Sequence, residues 1–195
     1  FVPTMGALHA GHLSLVQRAR AENDLACVSV FVNPLQFNDP ADYERYPRDF
    51  RADAELLAAH GCDMVFTGEL AQFFPGSRGD LSRIPRRDPG PASVSLEGDF
   101  RPGHFAGVAT IVARLFELVA PERAYFGLKD YQQCLVVSHV AGELGGPAIV
   151  PCETAREPSG LARSSRNELL TPEQRSEAAV IYRALSAARD AWRRD

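Results

Sequence analysis

No stretch of this sequence approaches the roughly 20 consecutive apolar residues that a bilayer-spanning helix needs. The longest apolar run, residues 26–32, has the length of a buried strand. Cysteine is sparse: Cys27, Cys62, Cys134 and Cys152 include no CxxC pair and no other metal-ligand spacing. Three of them fall in apolar segments, where a thiol packs as a small hydrophobe, so reduced thiols in a cytoplasmic protein are expected rather than disulfides or a metal site. A basic excess is missing too. Lysine and arginine number 21 against 25 aspartates and glutamates, a net charge of −4. This argues against a nucleic-acid surface but not against a local basic pocket for a small anion. Internal repeats and low-complexity tracts are absent. The chain opens on Phe1 inside what reads as a strand, so a fragment is expected and the lack of a signal peptide is uninformative. What remains is the composition of an ordinary globular domain, 195 residues with 45% hydrophobic and 24% charged, long enough for a core of its own.

Apolar strands alternate with helix-like segments. Strands are expected at residues 1–4, 26–32, 63–67, 123–127 and 148–152. Helices are expected at 12–22, 48–60 with Gly61 as its stop, 105–119, 129–144 ended by Gly145-Gly146-Pro147, and 172–193 with Thr171 as N-cap and Pro172 in first position. Near-continuous apolar strands between helices predict an α/β fold, a doubly wound, Rossmann-like parallel sheet covered on both faces. Residues 75–91, rich in glycine, proline, arginine and aspartate, read as a surface loop.

In such sheets ligands sit beyond the carboxyl ends of the strands. There, TMGALHAGH (4–12) places His9 and His12 around Gly11, with His12 in the first turn of the following helix. Free N–H groups and the helix dipole attract anions at that position, and glycine lets the backbone approach them closely. This stretch resembles the HxGH signature of nucleotidyl transferases and class I aminoacyl-tRNA synthetases.

Six further segments follow in order: VNPLQF (32–37), YPRD (46–49), LEG (96–98), RPGHFAGVAT (101–110), FGLKDYQQ (126–133) and GLARSSRN (160–167). With PTMGALHAGH (3–12) they resemble the pantoate–β-alanine ligase family from residue 1 to about 185. The resemblance implies residues 1–185 as an ATP- and pantoate-binding catalytic domain of the nucleotidyl-transferase type. It implies 186–195 as the start of a connection to a C-terminal lid that lies outside the fragment, which alone is expected to be poorly active. It also implies a cytoplasmic homodimer that condenses pantoate with β-alanine through a pantoyl adenylate, using ATP and Mg²⁺ and releasing pyrophosphate and AMP.

By the same resemblance, Met5, Gly6, Ala7, Leu8, His9, Ala10, Gly11 and His12 form the first ATP loop, with His12 and His9 catalytic. Gln36 and Gln133 hold substrate. Gly127, Leu128, Lys129 and Asp130 form a nucleotide segment, with Lys129 on phosphate and catalytic and Asp130 on ribose. Ala155 borders adenine, and Arg163, Ser164, Ser165 and Arg166 make the second ATP segment, with the last three catalytic. Asp53 is a candidate carboxylate near the metal. Leu128 stands where the family carries a carboxylate, Arg163 where it is apolar, Ala155 for a valine and Phe74 for a tyrosine. Two other readings stay open: another HxGH nucleotidyl transferase, and a nucleotide-binding paralogue that no longer ligates. Elsewhere, Tyr46 reads as pocket wall and Gln132, His60 and His139 as helix-surface or helix-end residues. Arg86-Arg87 and Arg193-Arg194 read as solvated, and His104 as either a helix start or a pocket neighbour.

Overall fold

The structure is a computed structural model, and it describes residues 1–194. In chain order the elements are β1 (Val2–Thr4), α1 (Ala10–Glu22), β2 (Cys27–Val30), α2 (Pro40–Arg45), α3 (Phe50–Ala59), β3 (Met64–Phe66), α4 (Leu70–Phe73), α5 (Glu97–Phe100), α6 (His104–Val119), β4 (Arg123–Gly127), α7 (Tyr131–Leu144), β5 (Ala148–Cys152), α8 (Pro172–Ala178) and α9 (Val180–Trp192). All strand pairs are parallel. β1 pairs with β2 and β2 with β3, while β4 pairs with β5. The two sheets meet at Phe1, whose amino group donates to Arg123 O (2.8 Å) and whose carbonyl accepts from Tyr125 N–H (2.9 Å). Bonding on both sides of one residue is the parallel pattern. It gives the spatial order β3-β2-β1-β4-β5 expected of a doubly wound sheet.

Side chains alternate across this sheet. Val2, Val28 and Tyr125 pack with Val16 and Ala19 of α1 and Leu57 of α3 on one face. Phe1, Ala124 and Phe126 pack with Ile111, Leu115 and Phe116 of α6 and Val137 of α7 on the other. Burial on both faces is why the strands read as unbroken apolar runs. Gly107 brings α6 against the short 3₁₀ turn Pro34–Gln36, since a Cβ there would lie 2.1 Å from Leu35 O. That close approach fixes Gln36 at the mouth of the sheet. No helix among the described residues is long and apolar enough to cross a membrane.

Two sequence expectations need correction. The expected helix over 172–193 is two helices, α8 and α9, meeting at the buried Ala179, whose ψ is −13°. Tyr182 of α9 lies over Gly160, where a Cβ would clash with the ring, and under Arg156 (4.3 Å). Residues 75–91 form the expected exposed loop, pinned by 3₁₀ turns at Pro75–Ser77 and Leu81–Arg83 and by buried Ser77 and Ile84. Arg86 and Arg87 are not simply solvated. Arg86 Nη1 donates to Leu35 O (3.0 Å), Arg87 N–H donates to Thr110 Oγ1 (2.9 Å), and the Arg87 guanidinium sits 3.6 Å from Glu143.

Candidate active site

The loop after β1 is built around one buried carboxylate. Gly6 turns the chain at φ +80° and Ala7 follows at φ +50°. Their neighbour Asp53, 5% exposed on α3, accepts Ala7 N–H at 3.0 Å with one oxygen and Leu8 N–H at 2.8 Å with the other. A Cβ on Gly6 would lie 2.7 Å from the same carboxylate, so glycine is required by space as well as by φ. Asp53 thus holds the loop with both carboxylate oxygens. It borders a neighbouring cleft rather than the one that holds the histidines. Among the described residues no group of three His, Cys, Asp or Glu side chains could cage a metal ion.

α1 begins two residues earlier than its apolar pattern indicated, because the histidines cap it. His9 is the N-cap, and its Nδ1 accepts Gly11 N–H (3.1 Å). His12 at N3 accepts His9 N–H on its own Nδ1 (3.3 Å). This reproduces a capping box with two imidazoles in place of the usual Ser/Thr and Glu/Gln. The rings lie 4.1 Å apart at 35°. Because Nδ1 is an acceptor in both, each neutral ring carries its proton on Nε2. Burial, with Lys129 and Arg163 nearby, lowers the His9 pKa. Burial, then His9 and Lys129, pushes His12 down to about 3. At neutral pH both are uncharged rings with an N–H to donate, in surroundings that an arriving anion would relieve.

The shift has a consequence for stability. The unfolded chain binds the His12 proton near pH 6.5, the folded one only near 3. The stability this neutral ring contributes is therefore complete above 6.5 and lost as pH falls from there towards 3. Melting temperature should decline through that window, and more steeply in the native protein than in a His12→Gln variant. Parallel melting curves would contradict the neutral, buried ring.

The opposite wall comes from the ends of β4 and β5. Lys129 Nζ donates to Asp130 Oδ1 at 3.0 Å, just past Gly127. Arg163 N–H donates to Ala155 O (2.9 Å), which docks the 163–166 segment beyond β5. Ser164 caps the following 3₁₀ turn (Ser165–Leu169). The Arg163 Cβ stands 3.6 Å from where a Gly11 Cβ would be, so this segment reaches the histidine loop directly.

The floor is polar and interlocked. Asn33, 1% exposed, donates through Nδ2 to Gln36 Oε1 (2.9 Å), which leaves the Gln36 NH₂ for the cleft. His104 is 4% exposed, and burial lowers its pKa, so the ring is neutral. Its Nδ1 donates to Gln36 O (2.8 Å), and Arg101 Nη1 lies 3.2 Å from its Nε2 and 2.7 Å from Glu97.

One cleft thus collects Met5, His9, Gly11, His12, Gln36, Gly127, Lys129, Asp130, Gln133, Ala155 and the whole 163–166 segment. Gly6, Ala7, Leu8, Ala10 and Leu128 are not on its wall. Tyr46 is on it, as expected of a wall residue, and His104 proves to be both a helix start and a pocket residue. Gln132 is no surface residue: buried at 9%, it accepts Glu97 N–H (3.0 Å) and donates to Ala92 O and Ser95 O (2.9 Å each), clamping the loop ahead of α5. Asn33, Glu97 and Arg101 were missed as site residues. All three stand inside the family-like segments VNPLQF, LEG and RPGHFAGVAT, and that position was the available signal.

A profile of the pantoate-beta-alanine ligase family matches residues 1–195. Pantothenate synthetase from Thermus thermophilus is 54% identical over 191 residues, 97% of this chain and 68% of that protein. Pantothenate synthetase from Roseiflexus castenholzii is 50% identical over 193 residues, 98% and 68%. The crystal structure of the Thermus enzyme superposes with a TM-score of 0.90 at 52% identity, over 99% of this chain and 69% of that one. Pantoate-beta-alanine ligase from Francisella tularensis, complexed with beta-gamma ATP and beta-alanine, gives 0.85 at 42% identity, over 95% and 70%.

Proposed function

Because the chain belongs to the pantoate–β-alanine ligase family, we propose that this cleft performs ATP-dependent ligation through a pantoyl adenylate. A pantoate carboxylate oxygen attacks the α-phosphorus and the bond to the pyrophosphate leaving group breaks. The β-alanine amine then attacks the adenylate's acyl carbon, giving the amide and AMP as the amine sheds its proton. No side chain acts as nucleophile, so the protein contributes alignment and charge stabilisation. His9 and His12 donate from Nε2 to the phosphates. Lys129 and Arg166 add positive charge, and Ser164 and Ser165 add hydroxyl donors. Gln36 and Gln133 hold the hydroxy acid, and Asp130 takes the ribose. The histidine pair and the 163–166 segment lining one cleft is the observation that carries this reading.

Of the carboxylates on the cleft wall Glu97 and Asp130 sit against a cation, and among the described residues no three acidic, His or Cys side chains gather to hold a metal ion. Magnesium therefore fits here as the counter-ion that enters on the triphosphate, neutralising its oxygens, rather than in a cage of this chain's carboxylates. The four free thiols accord with a cytoplasmic setting. A homodimer, with residues 1–185 as the catalytic domain of each copy, belongs to the same proposal.

The test is product analysis. ATP and pantoate should yield one equivalent of pyrophosphate without β-alanine, and AMP should be released only when β-alanine is added. Pyrophosphate release that requires CTP would point to another nucleotidyl transferase. Nucleotide binding without release would point to a non-ligating paralogue.

A further inference from the structure

Arg166, which the proposed mechanism sets on the phosphates, already has an anion in its grip. Its Nη2 donates to Asp42 Oδ2 at 2.9 Å. The guanidinium also lies 6.0 Å from the Tyr46 ring centroid. Arg166 is therefore tied to the stretch that follows β2, more than a hundred residues away in sequence. Asp42 sits in α2 and Tyr46 is its C-cap, so a single short helix carries both anchor points.

A carboxylate and a phosphate oxygen make the same demand on an arginine fork. The Arg166 and Asp42 side chains are 52% and 41% exposed, so the pair is screened and weak enough to be exchanged for a stronger anion. Two like charges would also repel if Asp42 kept its place beside a bound triphosphate. We propose that Asp42 is a positioning residue for the ATP step. It holds the Arg166 fork at the cleft while no nucleotide is bound, yields it to the triphosphate, and reclaims it as pyrophosphate leaves. This rests on the reading of Arg166 as a phosphate contact.

Linkage sets the sign. Whatever free energy the pair gives the empty protein is lost on binding, so removing the pair tightens binding of both anions that use Arg166. Asp42→Asn keeps the side chain's size and removes its charge. For an exposed pair the expected gain is about 2- to 5-fold in affinity, for ATP and for pyrophosphate as a product inhibitor alike. KM for pantoate should stay put, and the gain should shrink at high salt. A residue that merely supported the local fold would not tighten two anions in parallel. Arg166→Ala serves as the second variant and should weaken ATP binding on its own. In the Arg166→Ala background, Asp42→Asn should have a smaller effect, because only like-charge repulsion is left to relieve. Unchanged or weaker ATP and pyrophosphate binding in Asp42→Asn, with Arg166→Ala still damaging, overturns the exchange while leaving the phosphate role of Arg166 intact. An Arg166→Ala variant with normal ATP binding overturns both.

Discussion

Replacing His12 by alanine is expected to slow pantoyl adenylate formation by about 10²- to 10³-fold, the loss typical of one preorganised donor removed from a developing phosphate charge. The ring acts as a neutral Nε2–H donor, since burial and nearby positive groups keep it unprotonated at working pH. The substitution also removes half of the cap on α1, because His12 Nδ1 accepts His9 N–H. A second variant separates the two roles. Glutamine at N3 is the usual partner in a capping box, so His12→Gln restores the acceptor without restoring the imidazole. His12→Gln should keep the native melting temperature and share the catalytic defect. His12→Ala should show the same defect with a loss of about 1 kcal/mol from the missing cap. The measurement is the pyrophosphate burst in single-turnover kinetics alongside thermal melting. A glutamine variant with near-native burst rate would remove the imidazole from the chemistry.

Asp53→Ala is expected to destabilise the protein by about 3 kcal/mol, lowering the melting temperature by roughly 6–12 °C, because two N–H groups lose charge-assisted partners at once. Activity should fall further than stability alone accounts for. The loop that Asp53 pins, at Ala7 and Leu8, leads straight into the His9 cap. Asp53→Asn should fall between the native protein and the alanine variant, since an amide can satisfy one N–H but turns its own donors towards the other. Raising the magnesium concentration should restore neither variant. Recovery of the asparagine variant by magnesium would return Asp53 to the role of metal carboxylate that its hydrogen bonds argue against.

The sheet was legible because both its faces are buried. Residues 123–127 and 148–152 matched to the residue, since apolar runs bounded by glycine, proline and charge leave little choice of register. Helix starts were less legible where the cap is unusual. A histidine pair is not the serine, threonine or aspartate signal that marks an N-cap, so α1 was placed two residues late. Gln132 and the pair Arg86-Arg87 look like surface residues in any local window. Their roles depend on carbonyls of segments dozens of residues away, such as Ser95 O and Leu35 O. Asp53 shows the limit most clearly. Its proximity to the site was anticipated, but its use was not, because only the fold reveals that both oxygens face the backbone of the loop.

The proposed function stands on one triphosphate held between the paired imidazoles and the Ser164-Ser165-Arg166 segment. A crystal structure with a non-hydrolysable ATP analogue and pantoate tests it most directly. The Nε2 atoms of His9 and His12 should lie on phosphate oxygens from one side and Arg166, released from Asp42, on them from the other, with the pantoate carboxylate facing the α-phosphorus. Phosphates lying outside this cleft, or touching only one of the two groups, would contradict it.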